Sequence, residues 1–267
     1  MVSLLEGSAF VTGAASGLGE HTAYAFCKYG ISKLAITDIN LEGLNKVAAN
    51  IEKEWPNVEV LALQMDVRKA EEIKAVLSQI VSQFGRLDIA VNNAGITGKS
   101  AQIHTLDESD WENVLSVNLN GVHRCQKEEL GIMVKQEDLG VRRGRGTIIN
   151  VSSMYGTVGP LSPIHVTAYS TAKHAVVGMT RADASSYAGS NIRINAICPG
   201  YVKTPMVNDG SGAENEAHPL HRHAQLTPLR RLGLPEEIAD SIVFLASPMS
   251  SFVNGFPLVA DGGYSCC

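Results

Sequence analysis

Short apolar runs alternate along this chain with longer stretches in which apolar residues recur at helical spacing. The runs fall at Ser8–Thr12, Lys33–Thr37, Val58–Met65, Leu87–Val91, Gly146–Val151, Arg193–Ile197 and Pro257–Val259. Each is short and apolar enough to read as a strand, and the first as a buried one. A helical pattern follows the first run through Tyr29. Leu41, Leu44, Val47, Ala48 and Ile51 mark a second helix, ended by Pro56. Ile73, Val76, Leu77, Ile80, Val81 and Phe84 mark a third that begins near Lys69 and is ended by Gly85. Trp111 to about Met133 reads as one long helix, Ala168–Tyr187 as another, and Pro235–Leu245 as a last one with proline in its first turn. Strands alternating with helices predict an α/β fold. The expected form is a single-domain, doubly wound parallel sheet of about seven strands with helices on both faces, covering residues 1–267.

Composition narrows the class. The chain has 267 residues, 45% hydrophobic and 18% charged, with a net charge of −5. An acidic balance argues against nucleic acid as a partner. The tight basic run Arg142, Arg143, Arg145 reads as a solvated turn, with phosphate binding as the weaker alternative. No apolar run is long enough to span a membrane, and strand-like sequence begins almost at the N-terminus, so no membrane partner is expected. Five scattered cysteines form no Cys-x-x-Cys pair, which suits a reduced, cytoplasmic protein. The Cys266-Cys267 pair reads as a free tail. His218, His221 and His223 fit no familiar metal spacing, so no metal is expected. They lie in a polar stretch, residues 207–226, that reads as a mobile lid over a substrate.

The candidate chemistry sits where strands end. Gly13, Gly17 and Gly19 follow the first strand and open a helix. That context suits a phosphate-cradling loop, because glycine lets backbone approach an anion and the helix N-terminus offers free amides. Asp38, Asp66, Asn93, Ser153 and Pro199 also follow predicted strands and would share the carboxyl edge, where ligands bind such sheets. Tyr169 and Lys173 lie one helical turn apart on one face. An ammonium beside a phenol favours the phenolate, so a lowered Tyr169 pKa and a role in proton transfer are expected. Asn118 falls inside a predicted helix, an unfavourable place for asparagine unless its side chain is otherwise engaged. A satisfied surface asparagine is the alternative. Asp38 and Asp66 each admit a second reading as the cap of the next helix.

Together, Thr12–Gly19, Asn92–Gly95, Ser152-Ser153, Tyr169–Lys173 and Asp261-Gly262-Gly263 resemble the short-chain dehydrogenase/reductase family, in its order and over nearly the whole chain. The resemblance implies a Rossmann-like fold and hydride transfer between a nicotinamide dinucleotide and a secondary alcohol or ketone. It implies Ser153, Tyr169, Lys173 and Asn118 as the catalytic set, with Asn118 distorting its helix and holding a relay water next to Lys173. The cofactor would lie against Gly13, Ser16, Gly17, Leu18, Gly19, Asp38, Ile39, Asp66, Val67, Asn93, Ala94, Gly95, Tyr169, Lys173, Pro199, Gly200, Val202 and Thr204. The Ser153–Tyr169 connection is longer than is common in the family, so Ser152 stays open as the alternative to Ser153. Pro160 and Pro163 make that connection a shaped rim of the substrate pocket. Ile96, Met154, Tyr155, Val166, Tyr201 and Met206 suggest an apolar or cyclic small-molecule substrate. The stretch Ala172–Gly178 and the Ser247–Ser251 stretch are similar to fungal members, many of which act in secondary metabolism.

Asp38, with no basic residue among Ala14, Ala15, Ser16, Ile39 and Asn40, favours NAD(H) over NADP(H) without excluding the latter. The family also implies a homotetramer or homodimer. A non-redox or dual-function enzyme on the same scaffold, such as an epimerase, dehydratase or cyclase, is the second functional reading.

Overall fold

The computed structural model describes residues 3–205, 224–225 and 227–266. Seven strands form one sheet: β1 (Ser8–Thr12), β2 (Lys33–Asp38), β3 (Glu59–Gln64), β4 (Ile89–Asn92), β5 (Gly146–Val151), β6 (Ile192–Pro199) and β7 (Pro257–Ala260). Their order is β3-β2-β1-β4-β5-β6-β7, and every neighbouring pair is parallel. The order reverses between β1 and β4. Connections from those two strands leave to opposite faces, and a crevice opens beyond their carboxyl ends.

The helices are α1 (Gly17–Lys28), α2 (Leu41–Glu54), α3 (Ala70–Phe84), α4 (Glu108–Asn118), α5 (Asn120–Met133), α6 (Thr167–Tyr187) and α7 (Pro235–Ala246). Alternation along the strands sends side chains to two cores. Val11, Ile36 and Val91 pack with Phe26 of α1, Leu44 and Ile51 of α2 and Ile242 of α7. Phe10, Ala35 and Ala90 pack on the other face with Ile73 and Ile80 of α3 and Leu130 and Met133 of α5. Phe10, Phe26, Ile36, Leu44 and Ile80 are all fully buried. Burial of such a side chain contributes about 1.5–3 kcal/mol, so the two faces carry most of the driving force for this layering. Gly85 ends α3 in the left-handed region (φ 84°), a conformation that glycine adopts without strain.

One expectation needs correction. The long helix expected from Trp111 to Met133 is two helices, broken at Leu119 (φ −114°, ψ −61°). The Asn118 side chain turns from the helix to bond a loop, which leaves the backbone free to break there. The arginine run does lie in an exposed turn, and it makes specific contacts there. Arg143 pairs with Glu6 at 2.8 Å, Arg142 donates to Pro248 O at 2.8 Å, and Arg145 donates to Gln136 O. The run ties the turn before β5 to the N-terminal segment and to the segment after α7. Among the described residues, no helix is long and apolar enough to cross a membrane.

Candidate active site

The carboxyl edge of the sheet holds a cavity of about 910 Å³. The turn after β1 lines it with Gly13, Ser16, Gly17 and Leu18. Gly13 has φ +66°, and a Cβ there would meet the Ala94 Cα at 2.8 Å. A Cβ on Gly19 would meet the Gly13 carbonyl oxygen at 2.1 Å. Gly19 does not line the cavity; its role is the close approach of α1 to the turn. The Ser16 side chain makes no capping bond at the start of α1. The first amides of α1 are therefore left to a ligand, as an anion site requires.

Asn93 clamps this turn. Its Nδ2 donates to Thr12 O and Gly13 O, both at 3.0 Å. Thr12 Oγ1 accepts from the Asn93 and Ala94 amides at 3.0 Å. The motif Asn93-Ala94-Gly95 lines the cavity and locks the loops after β1 and β4 together.

Asp38, at the end of β2, also lines the cavity. Its Oδ2 accepts from Ala15 N at 3.1 Å and its Oδ1 from Asn40 N at 2.9 Å. The helix-cap reading falls to Asn40, whose Oδ1 accepts from Gly43 N at 3.1 Å. Asp38 is thus aimed by the glycine turn rather than spent on α2. Asp66 is no cap either, since Lys69 holds that position. Its carboxylate takes Arg68 Nε and Nη2, and this guanidinium holds the Asp66 carboxyl below its usual range. Arg68 lines the cavity and went unnoticed in the sequence, although an arginine two residues after an acidic strand end is a readable pairing. Ile39, Val67, Pro199, Gly200, Val202 and Thr204 complete the lining on this side. These residues fit a dinucleotide: open helix amides for the pyrophosphate and a carboxylate oriented beside them.

Ser153, Tyr169 and Lys173 all stand on the cavity wall. Lys173 Nζ lies 5.5 Å from the centre of the Tyr169 ring, on one face of α6 as the spacing requires. Lys173 is 3% exposed and donates to Val151 O at 2.8 Å. Burial pushes its pKa down to about 8. The Tyr169 phenol is pushed up, by burial first, while a hydrogen bond with Ser153 pulls the other way. The expected lowering of Tyr169 is therefore reversed. Its removal from water outweighs its neighbours, and the ammonium is bonded to a backbone carbonyl.

The two serines separate. Ser152 Oγ donates to Lys173 O at 2.9 Å and so fastens α6 to the end of β5. Ser153 Oγ accepts from Tyr155 N at 3.2 Å and lines the cavity beside Tyr169, whose pKa it pulls down against burial. Asn118 is fully buried and does not line the cavity. It flanks Gly95, where a Cβ would lie 3.2 Å from Asn118 Oδ1 and 3.6 Å from Lys173 Nζ. The surface alternative for Asn118 is thus excluded.

Ile96, Met154, Tyr155, Val166 and Tyr201 also line the cavity, joined by Pro163 and Ile164 from the lengthened connection. Met206 and nearly all of the 207–226 lid, including its three histidines, lie outside the described residues. Among the described residues no cluster could hold a metal ion.

A family model described as enoyl-(acyl carrier protein) reductase matches residues 13–265. The chain belongs to the short-chain dehydrogenase/reductase family. Members of this family use a nicotinamide dinucleotide. A 3-oxoacyl-[acyl-carrier-protein] reductase of Thermotoga maritima is 38% identical over 97% of this chain and 98% of that protein. A cis-4-hydroxycyclohexanecarboxylate dehydrogenase of Sinomonas cyclohexanicum is 39% identical over 96% of each. The crystal structure of levodione reductase superposes with a TM-score of 0.89 at 34% identity, covering 98% of both chains.

Proposed function

We propose that this protein interconverts a ketone and a secondary alcohol on an apolar, ring-bearing small molecule, using NAD(H) in preference to NADP(H). The observation that carries the reading is that Ser153, Tyr169 and Lys173 line one cavity together with the glycine turn and with the apolar side chains of Ile96, Met154 and Val166.

The bound nicotinamide supplies or accepts the hydride. The chain's own residues manage the oxygen. Tyr169, kept protonated by burial, donates its phenolic proton to the carbonyl oxygen during reduction and takes it back during oxidation. The Ser153 hydroxyl donates to the same oxygen and steadies its developing charge. Lys173, charged below about pH 8, favours the transient phenolate of Tyr169 and anchors the cofactor ribose. Asn118, beside Lys173 at Gly95, holds the relay water. Asp38 accepts hydrogen bonds from the adenosine ribose hydroxyls, and Asp66-Val67 receive the adenine. The apolar lining excludes water and favours a cyclic substrate, in line with a relative named for a hydroxycyclohexane acid.

Exposed Met249, Phe252 and Phe256 near β7 support self-association as a homodimer or homotetramer. Buried free thiols at Cys27, Cys125 and Cys198 suit the cytoplasm.

Nicotinamide absorbance with a panel of cyclic and acyclic ketones and alcohols tests the reading. Turnover of cyclic members is expected. Tight cofactor binding without redox turnover on any of them would overturn it in favour of a non-redox step.

A further inference from the structure

Beyond the cavity wall stands a residue from the far end of the chain. The Tyr264 ring meets Tyr201 edge to face at 5.7 Å (88°) and Tyr155 at 6.3 Å (81°). Tyr155 and Tyr201 meet each other at 6.3 Å (83°), with their hydroxyls 2.6 Å apart. Three mutually perpendicular rings thus form one unit. Tyr155 and Tyr201 face the cavity, and Tyr264 stands behind them. The Tyr264 ring makes both edge-to-face contacts, and its hydroxyl, near those of Tyr155 and Tyr201, adds to burial in raising both of their pKa values.

The turn that presents Tyr264 is wedged in place. Asp261 accepts from Gly263 N through Oδ1 and from Ser265 N through Oδ2, each at 2.9 Å. A Cβ on Gly200, next to Tyr201, would lie 2.6 Å from the Asp261 Cα. Gly262 O accepts from Leu229 N at 3.1 Å. At the other end of the unit, Tyr155 N donates to Ser153 Oγ at 3.2 Å. Tyr264 therefore packs on the rings of two cavity-lining residues, one of which, Tyr155, also holds the Ser153 hydroxyl through its backbone amide.

We infer that Tyr264 is a positioning residue that sets the aromatic wall of the substrate pocket and makes the site select ring-bearing ketones over small acyclic ones. The inference rests on the ketone–alcohol reading above. A rigid edge-to-face stack keeps Tyr155 and Tyr201 from collapsing into the cavity or swinging away, and a saturated ring fills the space they define. A short acyclic ketone needs no such wall.

Tyr264→Ala and Tyr264→Phe, compared with the wild type on cyclohexanone and butan-2-one, test this. Cofactor affinity in all three proteins reports an intact fold. The expected result is a fall of about tenfold or more in the cyclic-to-acyclic ratio of kcat/KM for Tyr264→Ala, carried mainly by the KM for cyclohexanone, with Tyr264→Phe near the wild type. An equal loss on both ketones, or a Tyr264→Phe as impaired as Tyr264→Ala, would overturn it. If the wild type turns over no ketone, the redox reading fails by itself. The wall is then judged by calorimetry of cyclohexanone with the cofactor-loaded protein. Weaker binding in Tyr264→Ala alone supports it, and equal binding in all three overturns it.

Discussion

Asn118 holds Ile96 by both of its backbone polar groups. Asn118 Oδ1 accepts from Ile96 N at 2.8 Å, and Asn118 Nδ2 donates to Ile96 O at 2.7 Å. The helix breaks one residue later, so the loop after β4 and the break between α4 and α5 are one feature. Asn118→Ala takes both partners from the half-buried Ile96 amide and carbonyl. We expect a loss of about 1–3 kcal/mol in stability, read by urea unfolding. A loss below about 0.5 kcal/mol, the low end for a single hydrogen bond, would mean that the pairing is not maintained in solution.

Tyr169→Phe keeps the ring against Lys173 and removes the proton donor. Turnover should drop by about 10²–10⁴-fold while cofactor affinity stays near that of the parent. Steady-state rates and a fluorescence titration of the cofactor check the two halves separately. A parent-like rate would remove Tyr169 from the chemistry.

The serines should fail in different ways. Ser153→Ala removes the hydroxyl proposed to meet the substrate oxygen, and kcat should fall by about 10²–10³-fold. Ser152→Ala removes the bond to Lys173 O and should cost about 0.5–1.5 kcal/mol of stability with the smaller kinetic effect. Reversed kinetic losses would transfer the role to Ser152.

On the proposed reading, Asp38 would govern cofactor choice. A 2′-phosphate facing its carboxylate at about 4 Å meets a repulsion of about 1–4 kcal/mol. Arg68, the nearby cation on the cavity wall, is already engaged by Asp66. NAD(H) should bind at least tenfold tighter than NADP(H), about 1.4 kcal/mol, and Asp38→Ala should narrow the gap. Titration calorimetry with both cofactors decides, and equal affinities for the parent would sink the assignment.

Glu129 makes stability depend on pH. It is fully buried on α5, where Asn92 Nδ2 donates to its Oε2 at 3.0 Å, and burial pushes its pKa up from 4.5 to about 8. Between those values the folded protein keeps a proton that the unfolded chain has lost. This contribution to stability is complete below about pH 4.5 and is lost as the pH rises through about 8. Glu129→Gln cannot titrate, so its stability should decline less than the parent's between pH 5 and 8 in urea unfolding. Parallel pH curves for the two proteins would show that Glu129 is already ionised in the fold.

The sequence by itself determined the layering and the edge on which the chemistry lies. Strand runs such as Phe10–Val11 and Ala90–Val91 are apolar on both faces, and only a sheet covered on both sides buries them. Gly13 to Gly19, Asp38, Asn93 and Ser153 each follow a strand, so parallel pairing must bring them to one edge. Tyr169 and Lys173 were legible because their relation is local, one turn of one helix. The tertiary structure decided whatever depends on partners distant in the chain. The break at Leu119 depends on Asn118 finding Ile96 in another loop, which helical periodicity does not register. The direction of the Tyr169 pKa depends on how far folding withdraws the phenol from water, and spacing along a helix says nothing of that. Ser153 parted from Ser152 only when α6 lay against β5 and claimed one hydroxyl for the Lys173 carbonyl. Tyr264 was invisible in sequence because its ring meets Tyr155 and Tyr201 only once the end of the chain folds back over the carboxyl edge.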